Sequence, residues 1–202
     1  MKPVEPAPGE LASPPAGDPG QSSTNSTETA VEPTAESEDS EKGALQAEVD
    51  ELLSAFDDAY SALAAHPLDA LDDSSAAVEQ WHPQVVAGSN YDKAIRARLH
   101  TDAQDNLVLY RPDANGLLMA SHASDLAVEA DGSLAWTHCH FTPWVEVHAE
   151  TGEILDDRPF QRLGTASATR GGDGRLRITH ISEDQLMELP EGSGDQCEQL
   201  GE

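Results

Sequence analysis

The apolar residues of the chain follow a helical spacing first and a strand spacing later. Between residues 45 and 63 they recur at three- and four-residue steps, which predicts one long amphipathic helix. We expect Asp39 or Ser40 to cap its start, and His66-Pro67 to end it. The apolar stripe consists of Leu45, Val49, Leu52, Leu53, Phe56, Tyr60 and Leu63. The opposite face carries Glu48, Asp50, Glu51, Asp57 and Asp58.

Two further helices are predicted before residue 106. A weaker helical stretch covers residues 68–81 and ends before Pro83. The sequence from Ser89 to Asp92 has the Ser-x-x-Asp form of a capping box, which marks the start of a third helix. The buried stripe of that helix is predicted to contain Tyr91, Ala94, Ile95 and Leu99.

After Asn106 the pattern changes to short apolar segments separated by turn residues. Asp131-Gly132, Thr151-Gly152 and the segment 170–174 each lie between two such segments, which predicts three hairpins. LVLY (107–110) and LLMAS (117–121) flank a further turn-rich segment. Helices followed by an antiparallel meander predict an α+β fold rather than a parallel sheet.

Composition divides the chain into a spacer, one domain and a short tail. Residues 1–43 are dominated by Pro, Ser, Thr, Glu and Gly, too few apolar groups to offset the entropy of ordering. We therefore predict a disordered acidic tail over 1–43 that is dispensable for folding, and an α+β domain over 44–189. Residues 190–202 form a C-terminal tail that contains Cys197.

The charge balance excludes one class of partner. The chain carries 38 acidic and 11 basic side chains, a formal net charge of −27. Such a field repels phosphate backbones and disfavours anionic lipid surfaces, so we expect no nucleic-acid partner. No apolar run reaches the length of a membrane span, and no apolar signal-peptide core is seen. We expect basic residues of the domain, such as Arg96, to pair with nearby carboxylates.

Several segments together carry a resemblance to a known family. They are LLSAFDDAYSALAAHP in the first helix, AWTHCHF with its central Cys139, the turn ETGEI, the closing strand RLRITHIS, and the late Cys197. With three helices before an antiparallel sheet, residues 44–197 resemble the nuclear-transport-factor-two-like (cystatin-like cone) superfamily. Within it, the chain looks like extracytoplasmic actinobacterial proteins, often lipoproteins, whose domain follows a low-complexity spacer.

The resemblance implies a location, a disulfide and an assembly. It favours the cell envelope or secretion, with attachment to a membrane only through a lipid anchor that this chain lacks; a cytoplasmic location is the alternative. In an oxidising compartment Cys139 and Cys197 are expected to form a disulfide, and in the cytosol two free thiols. A homodimer through the open sheet face is a further expectation.

The resemblance also implies a pocket between the sheet and the helices. We expect ligand-binding side chains at Phe56, Tyr60, Tyr91 and Trp136, with His138 and His140 near the mouth. Acid–base roles would involve Tyr60, Tyr91, His138, His140 or Asp156, but no catalytic motif matches, so we assign no catalytic residue. His-x-His could also bind a metal with His122, His148 or His180, but this pattern is too common to assign one. We expect no metal and no cofactor.

Three functions follow from these observations. The first is a non-catalytic binding or accessory domain of the cell envelope, tethered by its spacer, with an unknown protein or a small apolar ligand as its partner. The second is a small cone-fold enzyme, of isomerase, dehydratase or cyclase type, that uses acid–base residues in an apolar pocket. The third is a cytosolic interaction protein with an acidic tail.

Overall fold

A computed structural model of the chain describes residues 35–110, 118–143, 145–190 and 192–197. Residues 1–34, to which most of the predicted tail belongs, lie outside this description. Helix α1 spans Ala35–Ala65, a short 3₁₀ helix spans Pro67–Asp69, α2 spans Ala76–Trp81 and α3 spans Asn90–Gln104. The first helix therefore ends before His66-Pro67 as predicted. It begins at Ala35, ahead of the predicted caps Asp39 and Ser40.

Eight strands follow the helices within the described residues. They are β1 Leu107–Tyr110, β2 Ala120–Val128, β3 Leu134–Thr142, β4 Val145–His148, β5 Ile154–Asp156, β6 Phe160–Arg170, β7 Leu176–Ile181 and β8 Gln185–Glu188. All of the strand pairs are antiparallel. The predicted α+β class is confirmed: helices in the N-terminal half pack on antiparallel sheets. None of the helices in the described part of the chain is both long and apolar enough to cross a membrane.

The strands form two sheets rather than one meander. The larger sheet has the order β2-β3-β6-β7, with β8 also paired to β6, and the smaller has the order β1-β4-β5. The three predicted hairpins are confirmed as β2–β3, β4–β5 and β6–β7. In a meander each strand pairs with the next strand along the chain. That prediction is wrong, because β3 pairs with β6 instead of β4, and the β4–β5 hairpin forms the smaller sheet with β1.

Two predicted segments merge in strand β2. Residues before and after Asp125 were expected in separate strands, but both pair with β3. The register shifts between Ser124 and Ala127, and Asp125 has a φ of 54°, a left-handed conformation that Asp tolerates better than most residues. A bulge therefore lets one bent strand replace two.

Helix α1 supplies the centre of the core. It packs against α2 and β2, and its buried apolar side chains include Val49, Leu53 and Leu63. Asp57, predicted on the solvent face, is only 6% exposed. Its carboxylate accepts hydrogen bonds from the backbone N–H and the hydroxyl of Ser121, both at 2.7 Å, which satisfy it inside the core.

Helix α3 buries polar as well as apolar residues. Ser89 caps it as predicted, because its hydroxyl accepts from the backbone N–H of Asp92. Asp92 is fully buried and accepts from the Trp81 indole at 2.8 Å. Arg96 lies 3.7 Å from Asp92 and 2.6 Å from Asp73, which confirms that it pairs with carboxylates. The predicted stripe is wrong at its second position, Ala94, which is exposed.

The predicted disulfide is present and fixes the C-terminal segment to the larger sheet. Cys139 on β3 and Cys197 are bonded, with their Cα atoms 5.7 Å apart. The same segment is held by an ion pair between Asp195 and His122 on β2, at 2.7 Å. Both cysteines are buried beside Phe141. Residues 192–197 are thus anchored to the domain and do not extend away from it as a tail.

Candidate functional site

A cavity of about 220 Å³ lies between α1, α3 and strands of both sheets. Its lining is part apolar and part charged. The apolar and aromatic lining consists of Phe56, Tyr60, Tyr91, Ile95, Leu107, Leu109, Met119, Phe160 and Ile181. The polar lining consists of Arg98, Asp102, His140, Thr142, Glu146, Arg162 and Glu183. An apolar enclosure with a few polar groups is typical of sites for small molecules.

Helix α1 contributes two aromatic side chains that lie one turn apart. Phe56 and Tyr60 are separated by four residues, so both project from one face of the helix. Phe56 is 1% exposed, and its ring packs on Trp81 with the ring centroids 5.2 Å apart. This packing holds the aromatic wall in place.

Helix α3 contributes a stripe that changes from apolar to charged along its length. Tyr91, Ile95, Arg98 and Asp102 recur at steps of four, three and four residues and all line the cavity. The ring of Tyr91 meets the ring of His180 edge to face, with centroids 6.2 Å apart. Arg98 lines the cavity although the residue as a whole is exposed to solvent.

Tyr60 and Arg98 form the first polar contact of the cavity. An N–H of the Arg98 guanidinium donates to the Tyr60 hydroxyl at 3.1 Å. Burial raises the pKa of Tyr60, and the nearby positive charge of Arg98 opposes that rise. Burial also raises the pKa of Tyr91. Both tyrosines are therefore protonated at neutral pH and can donate hydrogen bonds.

Two buried histidines lie next to each other, and one of them, His140, belongs to the lining. Nδ1 of His140 is 3.4 Å from Nε2 of His138, and the two side chains are 5% and 1% exposed. Burial lowers the pKa of His138 to about 4 and that of His140 to about 3. The pKa of His140 is lowered further by His138 and by the charges of Arg162 and Arg98. Both rings are therefore neutral at pH 7.

The remaining charges of the lining include one ion pair. Arg162 on β6 pairs with Glu183, and its guanidinium lies over the ring of Phe160, 4.8 Å from the centroid. Such a cation–π contact adds modest stability to a partly exposed arginine. This arrangement leaves little net charge on the Arg162 side of the cavity.

Four of the six predicted ligand-binding residues line the cavity. Phe56, Tyr60, Tyr91 and His140 do so, and Trp136 and His138 do not. Trp136, His138 and His140 are every second residue of β3, so they lie on the same face of the strand. The cavity borders the end of β3 that contains His140 and Thr142, so His140 is the one of the three that lines it. His138 and His140 are both buried in the sheet, and of the two only His140 lines the cavity.

Other candidate residues lie away from the cavity. Asp156 is bound by Arg158 at 3.0 Å and is absent from the lining. His122 is paired with Asp195, so it is not positioned as a third ligand for the His138–His140 pair. Within residues 35–110, 118–143, 145–190 and 192–197, no group of three His, Cys, Asp or Glu side chains is placed to hold a metal ion.

Sequence reasoning missed most of the charged lining. Arg98 and Asp102 continue the helical spacing of Tyr91 and Ile95, so the period alone was enough to find them. Arg162 and Glu183 lie on different segments of the sheet region, and their ion pair has no signal in sequence spacing.

Comparison with known proteins adds little to this description. No protein-family model matches the chain, and no curated protein matches it. Among solved structures, a protein from Catenulispora acidiphila matches at 14% identity and a TM-score of 0.36, over 73% of this chain and 94% of that chain. ActVI-ORFA from Streptomyces coelicolor matches at 17% identity and a TM-score of 0.35, over 61% and 90% respectively.

A second Catenulispora acidiphila structure, in complex with S-DNPA, matches at 14% identity and a TM-score of 0.35, over 72% of this chain and 94% of that chain. TM-scores this low carry no argument about what this chain does. Its function is therefore argued from its own residues.

Proposed function

We propose that the domain binds a small, largely apolar molecule in the cavity between α1, α3 and the sheets. The supporting observation is the lining itself. Nine aromatic and aliphatic residues from two helices and several strands line a space of about 220 Å³ together with seven polar or charged residues. The volume is below the range of about 300–1,000 Å³ typical of drug-sized ligands, so the ligand is correspondingly small.

Binding without catalysis is supported by the protonation of the lining. An efficient general acid or base has a pKa near the working pH. The pKa of Tyr60 and of Tyr91 is raised by burial, and that of His140 is lowered to about 3, so all three are moved away from neutrality. Asp57, whose pKa burial raises to about 7, is absent from the lining. The polar groups are thus suited to orienting a ligand.

We place the domain outside the cytoplasm, tethered by the segment that precedes α1. The supporting observation is the Cys139–Cys197 disulfide, because such bonds persist in oxidising compartments and are rare in the cytosol. In this proposal the domain is an accessory or binding component of the cell envelope.

A cavity-blocking variant tests the binding proposal. Ile95→Trp places a bulky ring in the lining, and Leu186→Trp makes a related change on β8, at a side chain that is 60% exposed. Calorimetric titration with phenylpropanol, a small apolar alcohol, is expected to give binding to the wild type and to Leu186→Trp but not to Ile95→Trp. Equal binding by all three proteins, with both variants folded, would place the ligand elsewhere. Absence of binding to the wild type would refute the proposal.

A further inference from the structure

Arg98 is a cation on the cavity lining whose charge is not neutralised by a contact. Among the described residues its guanidinium has one hydrogen-bond partner, the neutral Tyr60 hydroxyl, and no carboxylate within 4.0 Å. By contrast, Arg162 is paired with Glu183, and Arg96 with Asp73. A planar guanidinium that lacks a carboxylate partner is suited to binding an anionic oxygen.

The tyrosines beside Arg98 are also available as donors. The Tyr60 oxygen already accepts from Arg98, so its own O–H is left to donate. The Tyr91 hydroxyl makes no hydrogen bond within the described residues, although its ring lines the cavity. Both O–H groups can therefore point at a ligand oxygen.

The histidine pair supplies a further donor through its tautomers. Because both rings are neutral, one nitrogen of the His138–His140 contact carries the proton and the other accepts it. If His140 donated from its Nδ1, Nε2 of His138 would be the acceptor, and the proton of the neutral His138 ring would then lie on Nδ1 of His138. That nitrogen is buried and has no hydrogen-bond partner among the described residues. A buried N–H without an acceptor is rare in proteins. His138 therefore donates from Nε2, and His140 keeps its proton on Nε2.

The charges close to the Tyr60 hydroxyl differ from those of the rest of the lining. The lining holds two guanidiniums, those of Arg98 and Arg162, and three carboxylates, those of Asp102, Glu146 and Glu183. Glu183 contacts Arg162, whereas Arg98 contacts the neutral Tyr60 hydroxyl and has Asp102 and Glu183 only at longer range. Asp102 and Glu146 add negative charge to the rest of the lining, which disfavours a polyanion such as phosphate. The net charge of −27 opposes anions at long range. Salt at physiological ionic strength screens that field over about 8 Å, so the groups in contact with the ligand determine whether an anion binds.

From this donor set we infer that the ligand is a small monocarboxylate with an apolar body, its carboxylate bound by Arg98 and Tyr60. The inference rests on the proposed function, because it names the chemistry of the molecule that the cavity binds. The aromatic and aliphatic lining holds the body. Arg98, Tyr60, Tyr91 and Nε2 of His140 present hydrogen-bond donors to the two carboxylate oxygens.

Three probes with one apolar body test the inference. Phenylpropanoate, phenylpropanol and phenylpropylamine differ only in their end groups, and calorimetry at neutral pH gives a Kd for each. Phenylpropanoate is expected to bind at least about tenfold more tightly than phenylpropanol, since each factor of ten requires only about 1.4 kcal/mol. Phenylpropylamine is expected to bind most weakly. Binding of the amine as tightly as the acid would overturn the inference.

Two variants that each remove one positive charge separate the effect of the cavity arginine from the effect of the protein's overall charge. Arg98→Met removes the cavity cation, and Arg175→Met removes an exposed arginine in the β6–β7 turn. The first is expected to abolish the preference for phenylpropanoate over phenylpropanol, and the second to leave that preference as it is in the wild type. The inference fails, and the proposed function stands, in two cases in which phenylpropanol binds. In the first, the wild type does not prefer phenylpropanoate; in the second, Arg98→Met keeps the wild-type preference for phenylpropanoate. If none of the probes binds the wild type, both fail.

Discussion

Removal of the Cys139–Cys197 bond is expected to destabilise the domain without unfolding it. The bond closes a loop with a sequence separation of 58 residues. In the chain-entropy model, a loop of that length contributes about 4 kcal/mol by restricting the unfolded chain. Small domains have only about 5–15 kcal/mol of stability in total, so the loss is a large fraction of it.

The perturbation is Cys197→Ala, chosen because Cys197 lies in the C-terminal segment and Cys139 in the sheet. Urea unfolding gives the free energy of unfolding and the slope of its dependence on urea. We expect the free energy to fall by about 4 kcal/mol and the slope to rise, because an uncrosslinked unfolded chain exposes more surface. Wild-type protein kept reduced is the matched control and is expected to behave as Cys197→Ala does.

Two results would refute this reasoning. One is a loss below about 1 kcal/mol, which would mean that closing a loop with a separation of 58 residues restricts the unfolded chain far less than the model requires. The other is a reduced wild type as stable as the oxidised protein, which would mean that the loop entropy has no effect on the folding equilibrium.

Three further changes test other parts of the structure. Asp92→Ala leaves the Trp81 indole without its acceptor and Arg96 without one of its two carboxylates, so urea unfolding is expected to show a loss of about 3–5 kcal/mol; a loss under about 1 kcal/mol would contradict the network. Because the pKa of Asp57 is raised to about 7 in the fold, its contribution is full below about pH 4 and is lost as the pH rises through 7. Asp57→Asn should therefore show a smaller fall in urea midpoint between about pH 5 and 8 than the wild type, and an equal fall would disprove the assignment. Because the pKa of His138 is lowered to about 4, its contribution is present above about pH 6.5 and is lost as the pH falls towards 4. His138→Gln should flatten that acid limb in thermal melts, and an unchanged limb would argue against a neutral buried ring.

Local patterns were enough to predict the first and third helices and the hairpins, whereas the helix predicted over 68–81 is limited to Ala76–Trp81. The stripe from Val49 to Leu63 and the Ser89 cap depend on residues a few positions apart, and so do the turns at Gly132 and Gly152. The pairing of β3 with β6, and of β1 with β4, depends on contacts between distant residues. Spacing along the chain does not encode such contacts, so the meander was the wrong topology.

The helical part of the site was predicted only where it follows an apolar stripe. Phe56, Tyr60 and Tyr91 were found because large side chains on a helix face point towards a core. Arg98 lies on the same face as Tyr91 but was missed, because a charged residue breaks a hydrophobic pattern even where it lines a cavity. Trp136 is absent from the lining, since alternation fixes the face of a strand residue but not its distance from the end of the strand.

The central claim, that the cavity binds a small apolar molecule, is tested most directly by the four isoleucines of the chain. Ile95 and Ile181 line the cavity. Ile178 is fully buried in the core and absent from the lining, and Ile154 is 59% exposed. The four δ1-methyl signals, labelled with carbon-13 and followed by NMR during titration with phenylpropanol, therefore include two reporters and two controls. We predict that the Ile95 and Ile181 signals shift together and saturate, while those of Ile154 and Ile178 stay in place. Shifts confined to Ile154, or no shift at any of the four, would contradict the account.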